Sequence, residues 1–246
     1  MRTMDNAALG VLTEKLVQFG LTRQEATIYM CLLRSKDLSG YEVSKLTGIS
    51  RSNVYSALAA LVDEGAAYLL EGETNKYTAV PIEDFCQNKI RRLMGLKQEL
   101  VAQLPQLTDH SDGYITISGP QHILDKIYNM LEHVAYRVYL SISIEYLELF
   151  RPHLERLARE GKKVVLLING LPEREIEGSI VYQTDSADNK NGQLRLIVDS
   201  SYVLTGEMTG DITDSCLYCG QKNFVNVFKE SLRNEIKLIE LSKGEQ

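Results

Sequence analysis

The stretch GISRSNVYSALAALVDEGAAYLLEGETNKYTAV (48–80) decides how the first third of the chain folds. Ser50 stands where a helix cap belongs, and Val54, Ala57, Leu58, Leu61 and Val62 then recur at i, i+3, i+4, i+7 and i+8. That is one continuous apolar stripe, the mark of a helix with a buried face. Ser52, Ser56 and Ala59 lie opposite it, flanked by Asn53 and Tyr55, while Arg51 falls in the first turn and Gly65 ends the helix. Two β-prone runs follow, AAYLL (66–70) and KYTAV (76–80), joined by EGETN, whose Gly and Asn are turn residues.

Upstream, residues 5–20 read as a helix with Leu9, Leu12, Leu16 and Val17 on one face. In LTRQEATIYMCLLRS (21–35), Thr22 and Glu25 have capping-box spacing, and Ala26, Ile28, Tyr29, Leu32 and Leu33 form the buried side. SGYEVSKLTG (39–48) is a short helix capped by Ser39 and closed by Gly48. Downstream, 82–107 reads as one long helix in which Ile90, Leu93, Leu100 and Leu104 approximate a heptad seam, with Lys97 interrupting it and Leu96 alongside. TDHSDG (108–113) is a polar linker.

Beyond the linker strand and helix patterns alternate: YITIS (114–118), a helix over 120–134, YRVYLSIS (136–143), a helix around 147–161, and KKVVLLING (162–170). This order predicts a parallel crossover. QLRLIVD and YVLTGEM form a hairpin over DSS, DSCLYCG is a further strand, and the last helix buries Phe224, Val225, Phe228, Leu232 and Ile236. The expected architecture is therefore multidomain, all-α with a wing at 1–81, a dimerisation helix at 82–107 and an α/β domain at 114–241.

Short helices followed by a hairpin make a winged helix-turn-helix, which leaves the polar side of the 51–63 helix free to enter a DNA major groove. Small residues such as Ser50, Ser52 and Ser56 let that backbone come close to the bases. Arg51 and Asn53 can reach guanine, adenine or phosphate, and Tyr55 can donate to a phosphate. Asn75 and Lys76 at the hairpin would meet the DNA backbone or minor groove. The net charge of −6 opposes this reading, and residues 1–80 carry eight basic against nine acidic side chains. Only their placement can answer it, with Asp63, Glu64 and Glu71 expected away from Ser50–Ser56.

The remaining composition sets bounds. At 246 residues, 44% hydrophobic and 24% charged, the chain suits a globular protein. Its most apolar run, VVLLI (164–168), is far below the ~20 residues a membrane helix needs. The N-terminus has acidic residues and no long apolar core, so no signal peptide is expected. Four cysteines without a regular framework fit a reducing, cytoplasmic setting.

The segments LTRQEATIYMCLLRS and SGYEVSKLTGISRSNVYSALAALVDEGAAY, with the long helix after the wing, resemble the TrmB family of sugar-responsive transcriptional regulators. The resemblance implies an N-terminal domain that binds operator DNA as a homodimer and a C-terminal sensor resembling half of a phospholipase D fold. In the sensor it rests on VYLSIS, GKKVVLLI and LRLIVDSSYVLTGEM. Sugar-binding members carry a further C-terminal extension, so a sugar is expected here less directly than a small-molecule effector of some kind. Phospholipase D relatives use a His-x-Lys motif, but His110, His122, His133 and His153 each lack a lysine two residues on. No catalytic residue, cofactor or metal site is expected.

Two further readings attach to named residues. The ends of the parallel strands, SISIEY and LINGLP, gather Ser141, Ser143, Glu145 and Asn169, either as an effector site in the crevice where open α/β sheets bind ligands or as strand-end caps. Cys216 and Cys219 form a lone C-x-x-C, readable as a thiol or metal switch or as two small residues on opposite strand faces. A protein-interaction scaffold that never meets DNA is the remaining alternative.

Overall fold

The computed structural model describes residues 6–105, 113–170, 172–184 and 192–244. The chain divides into two compact units, Met1–Leu107 and Thr108–Gln246. Apart from Gly113, the linker expected at 108–113 lies outside the described residues, as does His110.

The first unit runs α1 (Asn6–Gln18), α2 (Arg23–Arg34), β1 (Leu38–Ser39), α3 (Gly40–Thr47), α4 (Arg51–Asp63), β2 (Ala67–Leu70), β3 (Lys76–Ala79) and α5 (Ile82–Gln103). Two reciprocal capping boxes start its helices. The Thr22 N–H donates to Glu25 Oε2 at 2.8 Å and the Glu25 N–H to Thr22 Oγ1 at 3.2 Å. The Ser39 N–H donates to Glu42 Oε2 at 2.8 Å and the Glu42 N–H to Ser39 Oγ at 3.3 Å. The stripe read from 48–80 is buried as expected: Val54, Ala57, Leu58 and Leu61 pack with Ile28, Leu32 and Val43. A third strand, β1, was not legible beforehand. It is two residues long and pairs Leu38 with Tyr77 and Ser39 with Lys76, giving the sheet order β1-β3-β2.

Helix α5 is anchored through its first half, where Arg92 Nη1 donates to the Glu64 carbonyl at 3.2 Å. Phe85 is buried beside Tyr29 (ring centroids 5.5 Å apart) and Phe19 (5.8 Å), and the Tyr29 hydroxyl donates to the Val80 carbonyl at 2.8 Å. Lys89 Nζ reaches Glu64 Oε2 at 3.0 Å. Beyond that, Leu93, Met94, Leu96, Leu100 and Leu104 are exposed within the unit. The helix ends at Gln103, short of the expected 107. Leu104 is extended (φ −88°, ψ 144°) because it precedes Pro105, whose ring disfavours helical backbone in the residue before it.

The second unit is a seven-stranded sheet of order β4-β10-β9-β8-β5-β6-β7. Its strands are β4 (Tyr114–Ser118), β5 (Arg137–Ile142), β6 (Lys163–Ile168), β7 (Ser179–Gln183), β8 (Gln193–Val198), β9 (Tyr202–Glu207) and β10 (Ser215–Cys219). The expected parallel crossover joins β5 to β6, and β6 is parallel to β7. Strand β7 was missed in the sequence: SIVYQ is a five-residue edge strand, half-exposed and without alternation.

Alternation elsewhere splits the sheet between two cores. Val138, Leu140, Ile142, Val164, Leu166 and Ile168 face α6 (Pro120–Glu132) and α7 (Ile144–Arg159). Tyr139, Val165, Leu167, Ile197 and Val203 face α8 (Lys222–Gly244), which contributes Val225, Leu232 and Ile236. Gly206 of β9 lies against β10: a Cβ there would sit 2.2 Å from the Ser215 carbonyl oxygen and 2.6 Å from Cys216 Cα.

Candidate nucleic-acid interface

The turn between α3 and α4 fixes which side of α4 faces outward. Gly48 takes the left-handed conformation (φ 72°) that ends α3, and the Ser44 hydroxyl donates to the Ile49 carbonyl at 2.6 Å. With the apolar stripe buried, Ser50, Arg51, Ser52, Asn53, Tyr55 and Ser56 are all exposed on one surface. Ser50 occupies the cap position of α4 but its side chain makes no cap bond. Its hydroxyl lies 3.4 Å from that of Ser52. Two polar hydroxyls and the positive end of the helix therefore face outward together, a geometry suited to a phosphate oxygen.

Two contacts not read from the sequence shape this surface. The Arg51 guanidinium lies 4.5 Å from the centroid of the Tyr41 ring, a cation–π arrangement that holds a long side chain in place. The Tyr55 ring lies over Gly40, where an added Cβ would meet Tyr55 Cε1 at 2.5 Å. Both partners belong to α3, so the first turn of α3 orients the two largest side chains of α4. The signal was present in SGY (39–41), as a glycine and an aromatic at the start of a short helix.

The wing brings Asn75 and Lys76 to the surface, and Lys76 pairs across β1 with Ser39. The Glu42 carboxyl is held below its ordinary range, chiefly by the Ser39 N–H and hydroxyl, with Lys76 adding to the effect. Glu64 is tied to Lys89 on α5, but Glu71 and Glu73 are exposed in the wing loop itself, next to Asn75 and Lys76.

In the second unit the four residues expected to line one crevice part company. Ser141 is buried on the α8 side, where its hydroxyl accepts from Arg195 Nη2 at 3.0 Å, and the same nitrogen donates to Glu235 Oε2 at 2.7 Å. The alternation of β5 sends it to the face away from α7. Ser143 and Asn169 do meet: Asn169 Oδ1 accepts from the Ile144 N–H at 2.8 Å and its Nδ2 donates to Ser143 Oγ at 3.4 Å. Asn169 thus caps α7 in place of Ser143, which makes no side-chain cap bond of its own. Glu145 is exposed in the first turn of α7.

Cys216 and Cys219 lie on opposite faces of β10, one in each core. Burial pushes the Cys216 thiol up to about 11, with Asp214 adding to the rise. The sheet separates the two sulfurs, so they cannot share a metal ion or close a disulfide in this fold. Of the described histidines, His122 lies on α6, His133 caps its end with Nδ1 2.7 Å from the Asn129 carbonyl, and His153 lies on α7 with its ring 5.1 Å from that of Tyr128. The β8 strand carries Arg195, whose Nη2 donates to Ser141 and Glu235.

Comparison with known proteins matches both units. The family model described as sugar-specific transcriptional regulator TrmB matches residues 16–83, and that of the N-terminal effector-binding subdomain of TrmB matches residues 113–234. An uncharacterised protein of Bacillus subtilis, YrhO, is 26% identical over 158 residues, 63% of this chain and 58% of that protein. TrmBL1 of Pyrococcus furiosus, a sugar-sensing transcriptional regulator of the helix-turn-helix type, is 25% identical over 168 residues, 63% of this chain and 47% of that protein. The chain therefore spans about half the length of the curated relatives it matches. Among solved structures it is similar to TrmBL2, an archaeal chromatin protein, with 19% identity, 93% of this chain and 97% of that one covered, and a TM-score of 0.45. It is also similar to Nuc of Salmonella typhimurium, a phospholipase D family member, with 11% identity, 51% and 94% covered, and a TM-score of 0.38. With a winged helix whose 16–83 segment matches one TrmB model and an α/β unit that matches the other, the chain belongs to the TrmB family of transcriptional regulators.

Proposed function

We propose that the protein is a dimeric, sequence-specific DNA-binding regulator of transcription whose reader is the exposed face of α4. The observation that carries this is the outward surface of Arg51, Ser52, Asn53, Tyr55 and Ser56, with Arg51 and Tyr55 oriented by Tyr41 and Gly40. Holding the Arg51 guanidinium over Tyr41 reduces the side-chain freedom lost when it meets a base edge or a phosphate. Arg51 and Asn53 read base edges, the first turn of α4 takes a phosphate, and Asn75 and Lys76 touch the neighbouring backbone. The local charge is modest, with Glu71 and Glu73 on the wing, so the α4 surface carries most of the affinity and the wing carries less.

Dimerisation is assigned to α5. Its outer turns expose Leu93, Met94, Leu96 and Leu100, a large apolar face on a helix whose first half is anchored through Phe85, Lys89 and Arg92. A two-fold partner covering it would set two reader helices for two half-sites. The C-terminal unit acts as a sensor without catalysis, and the setting is cytoplasmic; no described helix is long and apolar enough to cross a membrane. A sugar effector is the precedent offered by the name of the TrmBL1 relative. In this chain Glu145, exposed in the first turn of α7 beside the Ser143–Asn169 cap, offers a carboxylate to a neutral hydroxylated ligand at that end of the sheet. Ser141 supports it only from the far face. Selection of bound fragments from a random duplex pool by the full-length protein tests the reading: enrichment of one inverted repeat is expected, and no enrichment above a shuffled pool would refute it.

A further inference from the structure

A cavity of about 350 Å³ opens between α8 and the sheet, at the amino ends of β5 and β6 and so at the opposite end of the strands from Glu145 and Asn169. Five cations line it: Arg137 and Lys163, which are register partners at the first positions of β5 and β6, and Lys229, Arg233 and Lys237 of α8. Against them stands one carboxylate, Glu240, which accepts from the Tyr182 hydroxyl at 2.8 Å. The ion pair that fastens α8 to the sheet uses other groups, Arg195 and Glu235. A concentration of five positive side chains around one concavity stands out in a chain whose net charge is −6.

Helix propensity gives this arrangement no clear advantage. Lys229, Arg233 and Lys237 follow one another at i, i+4 and i+8, where each like-charged pair costs a helix about 0.2–0.5 kcal/mol, and the i,i+3 pairs Glu230–Arg233 and Lys237–Glu240 offset that by a similar amount. Packing of α8 rests on Phe224, Val225, Phe228, Leu232 and Ile236, with the Arg195–Glu235 bridge and the Tyr182–Glu240 hydrogen bond, and on none of the five cations around the cavity. Beneath the cations the cavity is apolar and aromatic, with Val165, Ile197, Leu232 and Ile236 as its floor and Tyr139 and Tyr182 as its sides. Ser200 lines the edge of the cavity; it and Asp199 take the positive φ (56° and 50°) of the tight turn that closes the β8–β9 hairpin, where the Ser201 N–H donates to the Val198 carbonyl at 2.9 Å. The Asp199 carboxylate accepts from the Ala135, Tyr136 and Arg137 N–H groups at 2.7, 2.7 and 2.8 Å and so fixes the backbone from which Arg137 projects.

We infer that this cavity binds a phosphorylated, ring-bearing small metabolite, with the phosphoryl group among Arg137, Lys163, Arg233 and Lys237 and the ring against Tyr139 and Tyr182. A bare anion would leave the apolar floor unused, and a neutral sugar would leave the cations unanswered. Duplex DNA is too wide to enter. The cavity size suits one sugar phosphate or one mononucleotide, which share this chemistry. Ligand binding here does not depend on the DNA-binding reading, since the ligand is detected directly.

The test is titration calorimetry on the full-length protein with four probes: glucose 6-phosphate, AMP, inorganic phosphate and glucose. One of the two phosphorylated ring compounds should bind with a Kd on the order of 1 mM or tighter, and at least about tenfold more tightly than inorganic phosphate or glucose. Which of the two binds names the source. Arg233→Ala with Lys237→Ala, both on exposed helix positions, should melt like the parent and weaken that binding about tenfold or more. Lys163→Ala provides an independent variant on the sheet side, with the same outcome expected. Arg51→Ala should leave ligand binding unchanged, which separates this site from the DNA reader. The inference is overturned if neither phosphorylated ring compound exceeds inorganic phosphate. It is overturned equally if the α8 and Lys163 variants bind as the parent does, or if they lose only affinity for duplex DNA.

Discussion

Arg51 is where the geometry makes its sharpest claim. Its guanidinium stacks on Tyr41, so the two should act on DNA as one unit and not as two independent contacts. Truncating Arg51 to alanine removes a base or phosphate contact worth about 1–3 kcal/mol, roughly a 5- to 150-fold loss of affinity. Truncating Tyr41 leaves the arginine in place but free to rotate. The expected cost is the cation–π term at an exposed site, about 0.5–1 kcal/mol. Because that cost acts through Arg51, it should vanish when Arg51 is already absent. The coupling energy in a double-mutant cycle should therefore equal the whole Tyr41 loss. Fluorescence anisotropy with the selected duplex at fixed salt, on all four proteins, reads this directly. Additive losses would mean that Tyr41 touches DNA on its own or not at all. An unchanged affinity in Arg51→Ala would remove α4 as the reader.

Other outcomes follow from individual contacts. Gly40→Ala should displace the half-exposed Tyr55 ring, weakening DNA binding with little change in melting temperature by circular dichroism. Gly206→Ala forces a Cβ into the backbone of β10 and should unfold the second unit or lower its melting temperature sharply, because neither the Ser215 carbonyl nor Cys216 Cα can move aside cheaply. Leu93→Glu with Leu100→Glu should yield monomers by light scattering; a parent protein already monomeric at micromolar concentration would refute the dimer. Cys216 is raised from 9.0 to about 11 and Tyr29 from 10.0 to about 12, in each case first by burial, so the folded protein retains protons that the unfolded chain has lost. Their contribution is fully present below pH 9 and is lost as pH rises through 9–12, and denaturant midpoints should fall across that window and not below it.

Most of the first unit was legible because its signals are local. The stripe from Val54 to Leu61, the Thr22–Glu25 capping box, the Ser39 cap and Gly48 each act within a few residues, and the structure uses them as read, adding a reciprocal bond from Glu42 at Ser39. The end of α5 was misplaced for an equally local reason, the restriction that Pro105 puts on Leu104. Strands β1 and β7 were not legible because they exist only by pairing: two residues against β3 and five against β6, with no alternation of their own. The expected crevice failed in part on strand parity. Ser141 and Ser143 look adjacent in SISIEY, but one points to α8 and the other begins α7. The cations at 229, 233 and 237 recur at helix spacing, but only the apolar face of that helix was read from the sequence. Their meeting with Arg137 and Lys163 depends on how α8 lies on the sheet, which no local pattern states.

If α4 reads DNA in a two-fold arrangement, the bound sequence carries that symmetry. Sequencing the duplexes that full-length protein selects from a random pool, beside a parallel selection with Arg51→Ala, tests it most directly. The parent should enrich an inverted repeat whose half-sites are spaced by about one helical turn, 10–10.5 base pairs, or a multiple of it. Arg51→Ala should lose preference at one position in each half-site. A pool that stays unenriched, or one whose enriched motif is identical in the two selections, would contradict the account.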